Sequence, residues 1–156
     1  MKTQVLYVLV SGLDDVFWEQ TYLSMRSLLK HNPDASIVLL TDDKTNESLK
    51  GVRANICSLI EKKIVVDLND TYSNKYKSRV LKTNMRNYVD GDFLYVDSDT
   101  IILSDLSEID SVDSDLSAVF EYNRPLGLFH DLKPLLRRFR RCGIDISKEM
   151  NIIIVV

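Results

Sequence analysis

The sequence predicts an α/β fold built around a mostly parallel sheet. Three observations predict it: short, unbroken apolar runs, helical patterns between those runs, and turn residues directly after each run. Runs that are apolar throughout are typical of strands covered on both faces. Of the 156 residues, 45% are hydrophobic and 28% are charged. A chain of this size can bury a core without disulfides or a structural metal, and we expect one domain over residues 1–156.

The first forty residues predict a strand, a helix and a second strand. The apolar run VLYVLV at residues 5–10 predicts a buried first strand. From Trp18 onward, apolar side chains recur at helical spacing until Pro33 stops the helix. The run IVLL at residues 37–40 predicts the second strand. This order is a βαβ unit, in which the two strands lie parallel.

The middle of the chain predicts four further elements. They are a short helix at 45–49, a weak strand at 64–67, a clear helix at 73–88 and a strand at 92–96. One face of the clear helix is apolar, with Leu81, Met85 and Tyr88. Another face is basic, with Lys75, Arg79, Lys82 and Arg86. Taken alone, the basic face favours an ordinary solvated helix surface.

The last third of the chain predicts a strand at 116–122, an amphipathic helix at 132–141 and a strand at 152–156. Because the last strand is apolar up to the final residue, we expect a domain that is incomplete at its C-terminal end. The polar face of the helix carries four arginines, Arg137, Arg138, Arg140 and Arg141. Such a helix can lie on anionic lipid, which would be a peripheral membrane contact, or be a solvated surface.

Charge and cysteine content exclude several classes of function. The chain has 20 basic and 23 acidic side chains, a net charge of -3, which argues against nucleic acid as a partner held by bulk electrostatics. The spacing of Cys57 and Cys142 implies neither a zinc site nor a disulfide framework. We therefore expect a reducing, cytoplasmic setting. No apolar segment reaches the roughly 20 residues that a membrane-spanning helix needs.

The most informative motif is Asp97-Ser98-Asp99, which directly follows the apolar strand at 92–96. Two carboxylates at the carboxyl end of a parallel strand lie where open α/β sheets bind ligands. Carboxylate oxygens suit Mg²⁺ or Mn²⁺, which usually share their remaining positions with water and substrate phosphates. By itself the tripeptide is a weak signal, because aspartates after strands are also ordinary turn residues.

Two other sites that use such aspartates fit less well. A calcium-binding EF-hand loop starting at Asp97 would end at Glu108, but Ile101 and Ile102 stand where it needs an oxygen ligand and a glycine. A phosphatase of the haloacid-dehalogenase type would use Asp97 as its nucleophile. That enzyme also needs a lysine and a second acidic pair downstream, for which the chain offers no convincing match. The phosphatase stays open as the less favoured alternative.

Together these motifs resemble a known family. The segments RVLK at 79–82, GDFLYVDSDTII at 91–102 and DL at 105–106 are similar to the donor half of GT-A fold glycosyltransferases. The similarity is greatest to the family 8-like, retaining enzymes of the glycogenin and lipopolysaccharide galactosyltransferase type, and it extends to about residue 122. The resemblance implies a three-layer α/β/α sandwich, the nucleotide-diphospho-sugar transferase fold, of which this chain would be the donor-binding half.

The resemblance also implies residue roles. Asp97 and Asp99 would be the catalytic pair that holds Mn²⁺ or Mg²⁺, with Asp99 the closer ligand and Asp97 also near the ribose. The metal would stabilise the diphosphate leaving group as a Lewis acid. Arg79 and Lys82 would contact the pyrophosphate or the hexose, and two cations with a metal are a sensible counter-charge for it.

The remaining donor contacts and the reaction follow from the same resemblance. Val10 and Ser11 would lie against the uridine, and Ser98 would also contact the donor. The expected reaction is metal-dependent transfer of a hexose from a nucleotide-sugar, with UDP as the expected nucleotide, to an unknown glycan or lipid-linked acceptor. The enzyme would work in the cytoplasm or at the cytoplasmic face of the membrane. The alternative is a fragment that binds the donor without transferring the sugar.

Overall fold

The computed structural model describes residues 1–114, 117 and 141. Met1–Val112 form one compact unit, which contains nearly all of the described residues. Apart from residues 117 and 141, the strands expected at 116–122 and 152–156 and the helix expected at 132–141 lie outside the described residues. A single domain over residues 1–156 therefore stays a prediction.

Strands and helices alternate along this unit. The strands are β1 (Gln4–Leu9), β2 (Ile37–Asp42), β3 (Lys62–Val66) and β4 (Phe93–Tyr95). The α-helices are α1 (Phe17–His31), α2 (Asp43–Ser48), α3 (Asn74–Thr83) and α4 (Met85–Tyr88). Two 3-10 helices, Gly51–Ser58 and Ser107–Ser111, were not expected from the sequence.

The four strands form one sheet in which every described pairing is parallel. Their order is β3-β2-β1-β4. Val5 lies opposite Ile37 of β2, and on the other side of β1, Leu6 lies opposite Tyr95 of β4. The α/β fold with a parallel sheet is thus confirmed for the described residues.

The strand order creates a switch point next to β1. The chain builds the sheet outward from β1 through β2 to β3 and then returns to place β4 on the other side of β1. In open α/β sheets, the crevice at the carboxyl ends of the strands on either side of such a reversal is the usual ligand site. Here that crevice lies between the ends of β1 and β4.

Alternate side chains of a strand point to opposite sides of the sheet. Both sides are apolar here, and helices pack on each of them. One face buries side chains of β1 and α1: Val5, Tyr7, Leu9, Trp18, Met25 and Leu28. The other face buries side chains of β1, β2 and α3: Leu6, Val8, Val38, Leu40 and Leu81. Strand β1, at the centre of both clusters, therefore has the apolar character on both faces that its sequence indicated.

The helix expected over 73–88 is divided into α3 and α4 at Asn84. The backbone N–H of Asn84 is shared between the carbonyl oxygens of Val80 and Leu81, at 3.2 Å from each. The side-chain amide of Asn84 also donates to the Val80 carbonyl at 2.8 Å. A side chain that bonds a nearby carbonyl oxygen competes with the next hydrogen bond of the helix. The bonds of Asn84 therefore coincide with the end of α3.

None of the helices within the described ranges has the length and apolar character required to cross a membrane.

Candidate functional site

A cavity of about 540 Å³ opens at the carboxyl ends of β1 and β4. Residues 8–10 at the end of β1 form one part of its wall, and residues 97–99 after β4 form another. Helix α3 lines it with side chains of its basic face, and Phe17 and Gln20 line it from the start of α1. The cavity therefore occupies the crevice at the switch point of the sheet, the usual place for a ligand.

Six of the seven site residues expected from the sequence line this cavity. They are Val10, Arg79, Lys82, Asp97, Ser98 and Asp99. These residues come from three separate segments of the chain, and the parallel sheet brings the segments together. A hydrogen bond from the Ser98 hydroxyl to the Val8 carbonyl, 3.3 Å long, joins two of them directly.

The seventh residue, Ser11, does not line the cavity. Its side chain is buried, and its hydroxyl donates to Asp15 Oδ1 at 2.7 Å and accepts from the Arg53 guanidinium at 3.0 Å. Its backbone N–H donates to the Thr45 hydroxyl at 3.0 Å. Asp15 also accepts from the backbone N–H of Gly12 at 2.5 Å. Ser11 thus stabilises the loop between β1 and α1 from inside the protein.

The first aspartate of the motif is paired with a lysine of α3. Lys82 Nζ lies 2.9 Å from Asp97 Oδ1 and 3.2 Å from Oδ2, and the backbone N–H of Ser98 donates to Oδ1 at 2.9 Å. Partial burial acts to raise the pKa of Asp97, but the hydrogen bond and charge of Lys82, with the Ser98 N–H, outweigh it and hold that pKa below its usual value. Asp97 is therefore an anion at neutral pH, and its charge is already partly compensated.

Tyr95 completes the surroundings of this ion pair. It precedes Asp97 by two residues, the spacing that puts side chains on the same face of a strand. Lys82 Nζ lies 5.8 Å from the centre of the Tyr95 ring, within the range of a cation–π contact. Burial, then the negative charges of Asp97 and Asp99, raise the pKa of Tyr95. With its pKa raised, Tyr95 is a neutral phenol at neutral pH, and its buried hydroxyl makes no hydrogen bond of standard geometry within the described part of the chain. The same spacing in the sequence could have identified this residue.

The second aspartate of the motif is exposed at the rim of the cavity. Asp99 lies in the turn that follows Asp97, where the Thr100 N–H bonds the Asp97 carbonyl at 3.1 Å. It forms no salt bridge with any residue of the described part. Its carboxylate is therefore available to a cation from solution.

The two aspartates fit a divalent cation whose other ligands are water and the phosphates of a bound substrate. No group of three or more acidic, histidine or cysteine side chains in the described part of the chain could enclose a metal. Mg²⁺ is typically bound through one or two carboxylates, several waters and substrate phosphates. The pair Asp97 and Asp99, both on one cavity, provides the protein's share of such a donor set.

Two more cations of α3 face the same cavity. Lys75 and Arg79 line it, and neither forms a salt bridge with a described residue. With Lys82 they give the cavity three positive side chains opposite its two aspartates. An anionic group entering beside a metal would therefore find unpaired cations along α3.

A buried ion pair, which is not among the features expected from the sequence, holds α3 against the sheet. Lys77 Nζ lies 2.8 Å from Asp42 Oδ2 at the end of β2, and both side chains are only 1% exposed. Asp42 also caps α2 by accepting from the Thr45 N–H at 3.2 Å. Burial acts to lower the pKa of Lys77, but the contact with Asp42 and nearby carboxylates raises it overall. The available signal was spacing: Lys77 lies four residues before the core side chain of Leu81, on the buried face of the helix.

No protein-family model matches the chain, and no curated protein matches it. The function of this chain therefore has to be inferred from the chemistry of the cavity and from the motifs of the sequence.

Proposed function

We propose that this chain binds a nucleotide-sugar together with Mn²⁺ or Mg²⁺ in the cavity between β1 and β4, and that it transfers the hexose to an acceptor. The single observation that carries the proposal is the composition of that cavity. Its wall joins a pair of aspartates after β4 to the basic face of α3. This is the charge pattern that a metal–diphosphate group requires.

The size and position of the cavity support a ligand of this class. A volume of about 540 Å³ lies within the ~300–1,000 Å³ typical of small-molecule and cofactor sites. The cavity also lies at the switch point of a parallel sheet, where mononucleotides and dinucleotides bind in other open α/β folds. The apolar end of β1, with Val10 on the wall, offers a surface for the base of a nucleotide.

The residues of the chain would act mainly on the leaving group. A bound divalent cation supplies Lewis-acid stabilisation of a departing diphosphate. Asp97 and Asp99 would hold that cation, while Arg79 and Lys82 would donate hydrogen bonds to phosphate oxygens that gain charge as the glycosidic bond breaks. Cations that already contact the bound diphosphate would favour the charge that develops as the bond breaks. A strong general acid on the leaving-group side is then unnecessary.

The finer assignment follows the sequence resemblance. We propose a GT-A fold of the family 8-like, retaining type, with UDP as the nucleotide and a glycan or lipid-linked acceptor. Apart from Arg141, the arginine-rich segment at 137–141, with its proposed contact to a membrane surface, lies outside the described residues. The proposed setting is the cytoplasm.

Calorimetric titration tests the proposal directly. The whole chain is titrated with UDP and UDP-hexoses, with and without Mn²⁺, and the Asp99→Asn variant is compared with it. We expect binding that depends on Mn²⁺ and that Asp99→Asn weakens at least about tenfold, because removing a charged ligand from a divalent cation costs more than an ordinary hydrogen bond.

The matched control is Asp92→Asn, at the opposite end of β4, where the carboxylate side chain is 96% exposed. It should bind like the unaltered chain. Binding that ignores Mn²⁺, or that Asp99→Asn leaves unchanged, would contradict a metal–diphosphate site.

Turnover distinguishes the two alternatives. Incubation with UDP-hexose and Mn²⁺ should release UDP by transfer or slow hydrolysis if the chain is an active transferase, whereas binding without release would identify a donor-binding fragment. An enzyme of the haloacid-dehalogenase type would instead release phosphate from small phosphoesters and bind a phosphoryl mimic at Asp97.

A further inference from the structure

The ion pair between Lys82 and Asp97 occupies the carboxylate oxygens that a metal ion would need as ligands. Lys82 Nζ contacts both carboxylate oxygens of Asp97, at 2.9 and 3.2 Å. Oδ1 also accepts from the Ser98 N–H at 2.9 Å. Both oxygens of Asp97 are thus engaged by donors of this chain, and one of those donors is a full positive charge.

An ammonium group and a divalent cation cannot share this carboxylate at low cost. Two positive charges about 4 Å apart repel one another, and the repulsion grows as the site is shielded from water. The ion pair is partly shielded, since the side chains of Lys82 and Asp97 are 34% and 26% exposed. A cation that coordinates Asp97 therefore has to displace Lys82 from it.

The cavity offers Lys82 a second position. The lysine side chain has a flexible four-carbon stem and three rotatable donors, and Lys82 lines the same cavity as Arg79 and Asp99. A diphosphate bound there would bring negative charge within reach of its ammonium. The energy lost when Lys82 leaves Asp97 would then be recovered in a new charge-assisted contact.

Building on the proposed donor site, we propose that Lys82 exchanges partners, from Asp97 to the diphosphate, when metal and nucleotide bind together. The pair of Lys82 with Asp97 keeps the affinity for the metal alone low. The diphosphate removes this competition because it gives Lys82 another anion. Metal and nucleotide consequently bind with positive cooperativity, and each raises the affinity for the other by the same factor.

The affinity for Mn²⁺ in the absence of nucleotide distinguishes this proposal from a lysine that only binds phosphate. A lysine that only binds phosphate would not lower that affinity. Binding of Mn²⁺ alone to the whole chain is measured from the electron paramagnetic resonance signal of free Mn²⁺ and then repeated with saturating UDP. We expect Lys82→Met to bind Mn²⁺ alone about tenfold more tightly than the unaltered chain, because a competing charge is gone. The same variant should bind UDP with Mn²⁺ more weakly, and the cooperativity factor should fall.

Arg79→Met is the matched control. It removes one positive charge from the same cavity but frees no carboxylate, so UDP binding should weaken while the affinity for Mn²⁺ alone changes by less than about threefold. Lys82→Arg keeps the charge and should keep the affinity for Mn²⁺ alone low. Lys82→Gln repeats the comparison with a polar side chain in case Lys82→Met folds poorly, which circular dichroism would reveal.

The outcomes separate this proposal from the one on which it depends. If Mn²⁺ and UDP bind cooperatively to the unaltered chain but Lys82→Met and Lys82→Gln bind Mn²⁺ alone no more tightly, the exchange is wrong and the donor site stands. If the unaltered chain and every variant fail to bind Mn²⁺ and UDP, the donor site itself is wrong and the exchange falls with it.

Discussion

At the scale of single residues, the carboxylates of this chain have distinct uses that their positions in the sequence do not reveal. Asp97 forms an ion pair with Lys82 inside the cavity, whereas Asp110 binds the residues just before β1. The Asp110 carboxylate accepts from the backbone N–H groups of Lys2 and Thr3, at 2.7 and 2.8 Å, and from the Thr3 hydroxyl at 2.8 Å. It therefore attaches the 3-10 helix Ser107–Ser111 to the start of β1.

The hydrogen bonds to Asp110 predict a loss of stability in acid. Bonds from the backbone N–H groups of Thr3 and Lys2 lower the pKa of Asp110 from 3.8 to about 2. Because the folded-state pKa lies below the unfolded one, the contribution of Asp110 is present above pH 3.8 and is lost as the pH falls through about 2. Urea unfolding of Asp110→Asn should show a smaller fall in stability over this range than the unaltered chain.

The control for this experiment is Asp34→Asn. The Asp34 side chain is exposed and accepts no hydrogen bond from any residue in the described ranges. This variant should keep the full acid dependence of the unaltered chain. Equal acid dependence in Asp110→Asn and the unaltered chain would show that the contacts of Asp110 do not contribute to stability.

At the scale of elements, α3 supplies the three basic side chains of the cavity wall, Lys75, Arg79 and Lys82. The sequence predicts this helix and its two faces, and Leu81 is buried as its apolar stripe indicates. The break at Asn84 could not be predicted, because it depends on which carbonyl oxygens the Asn84 side chain and backbone share. The buried Lys77 could be placed on the core face by its spacing, but its partner Asp42 is 35 residues away and no local pattern links them.

Removing one member of the buried Lys77–Asp42 pair should lower stability strongly, and neutralising the other member should restore part of it. Lys77→Met leaves a buried carboxylate without its partner, which should cost about 3–5 kcal/mol in the free energy of unfolding. Adding Asp42→Asn should recover part of the loss, since asparagine removes the buried charge and keeps an oxygen for the cap on Thr45. Urea unfolding of the single and double variants measures both effects.

Lys75→Met is the matched control on the same helix. The side chain of Lys75 is exposed, and surface substitutions usually change stability by no more than about 0.5 kcal/mol. If Lys77→Met costs no more than Lys75→Met, the buried pair does not hold α3 on the sheet.

At the scale of the whole molecule, local patterns predict most of the elements and the parallel pairing of β1 with β2, but not the order of all four strands. The sequence predicts the parallel α/β fold, all four described strands and six residues of the cavity wall. It could not predict that β4 returns to the far side of β1, because strand order depends on which ladders form between distant segments. The burial of Ser11 could not be predicted for the same reason, because its partners Arg53 and Thr45 come from a later part of the chain.

The central claim is that metal and nucleotide bind together at the carboxyl ends of β1 and β4. Paramagnetic Mn²⁺ broadens the nuclear magnetic resonance signals of nearby amides, so ¹⁵N-labelled chain with saturating UDP and a trace of Mn²⁺ locates the metal directly. We predict the strongest broadening at residues 97–100 and weaker broadening at Val10, with the effect falling off across the sheet toward β3 at its far edge. Broadening centred anywhere else in the chain, or identical broadening without UDP, would contradict the account.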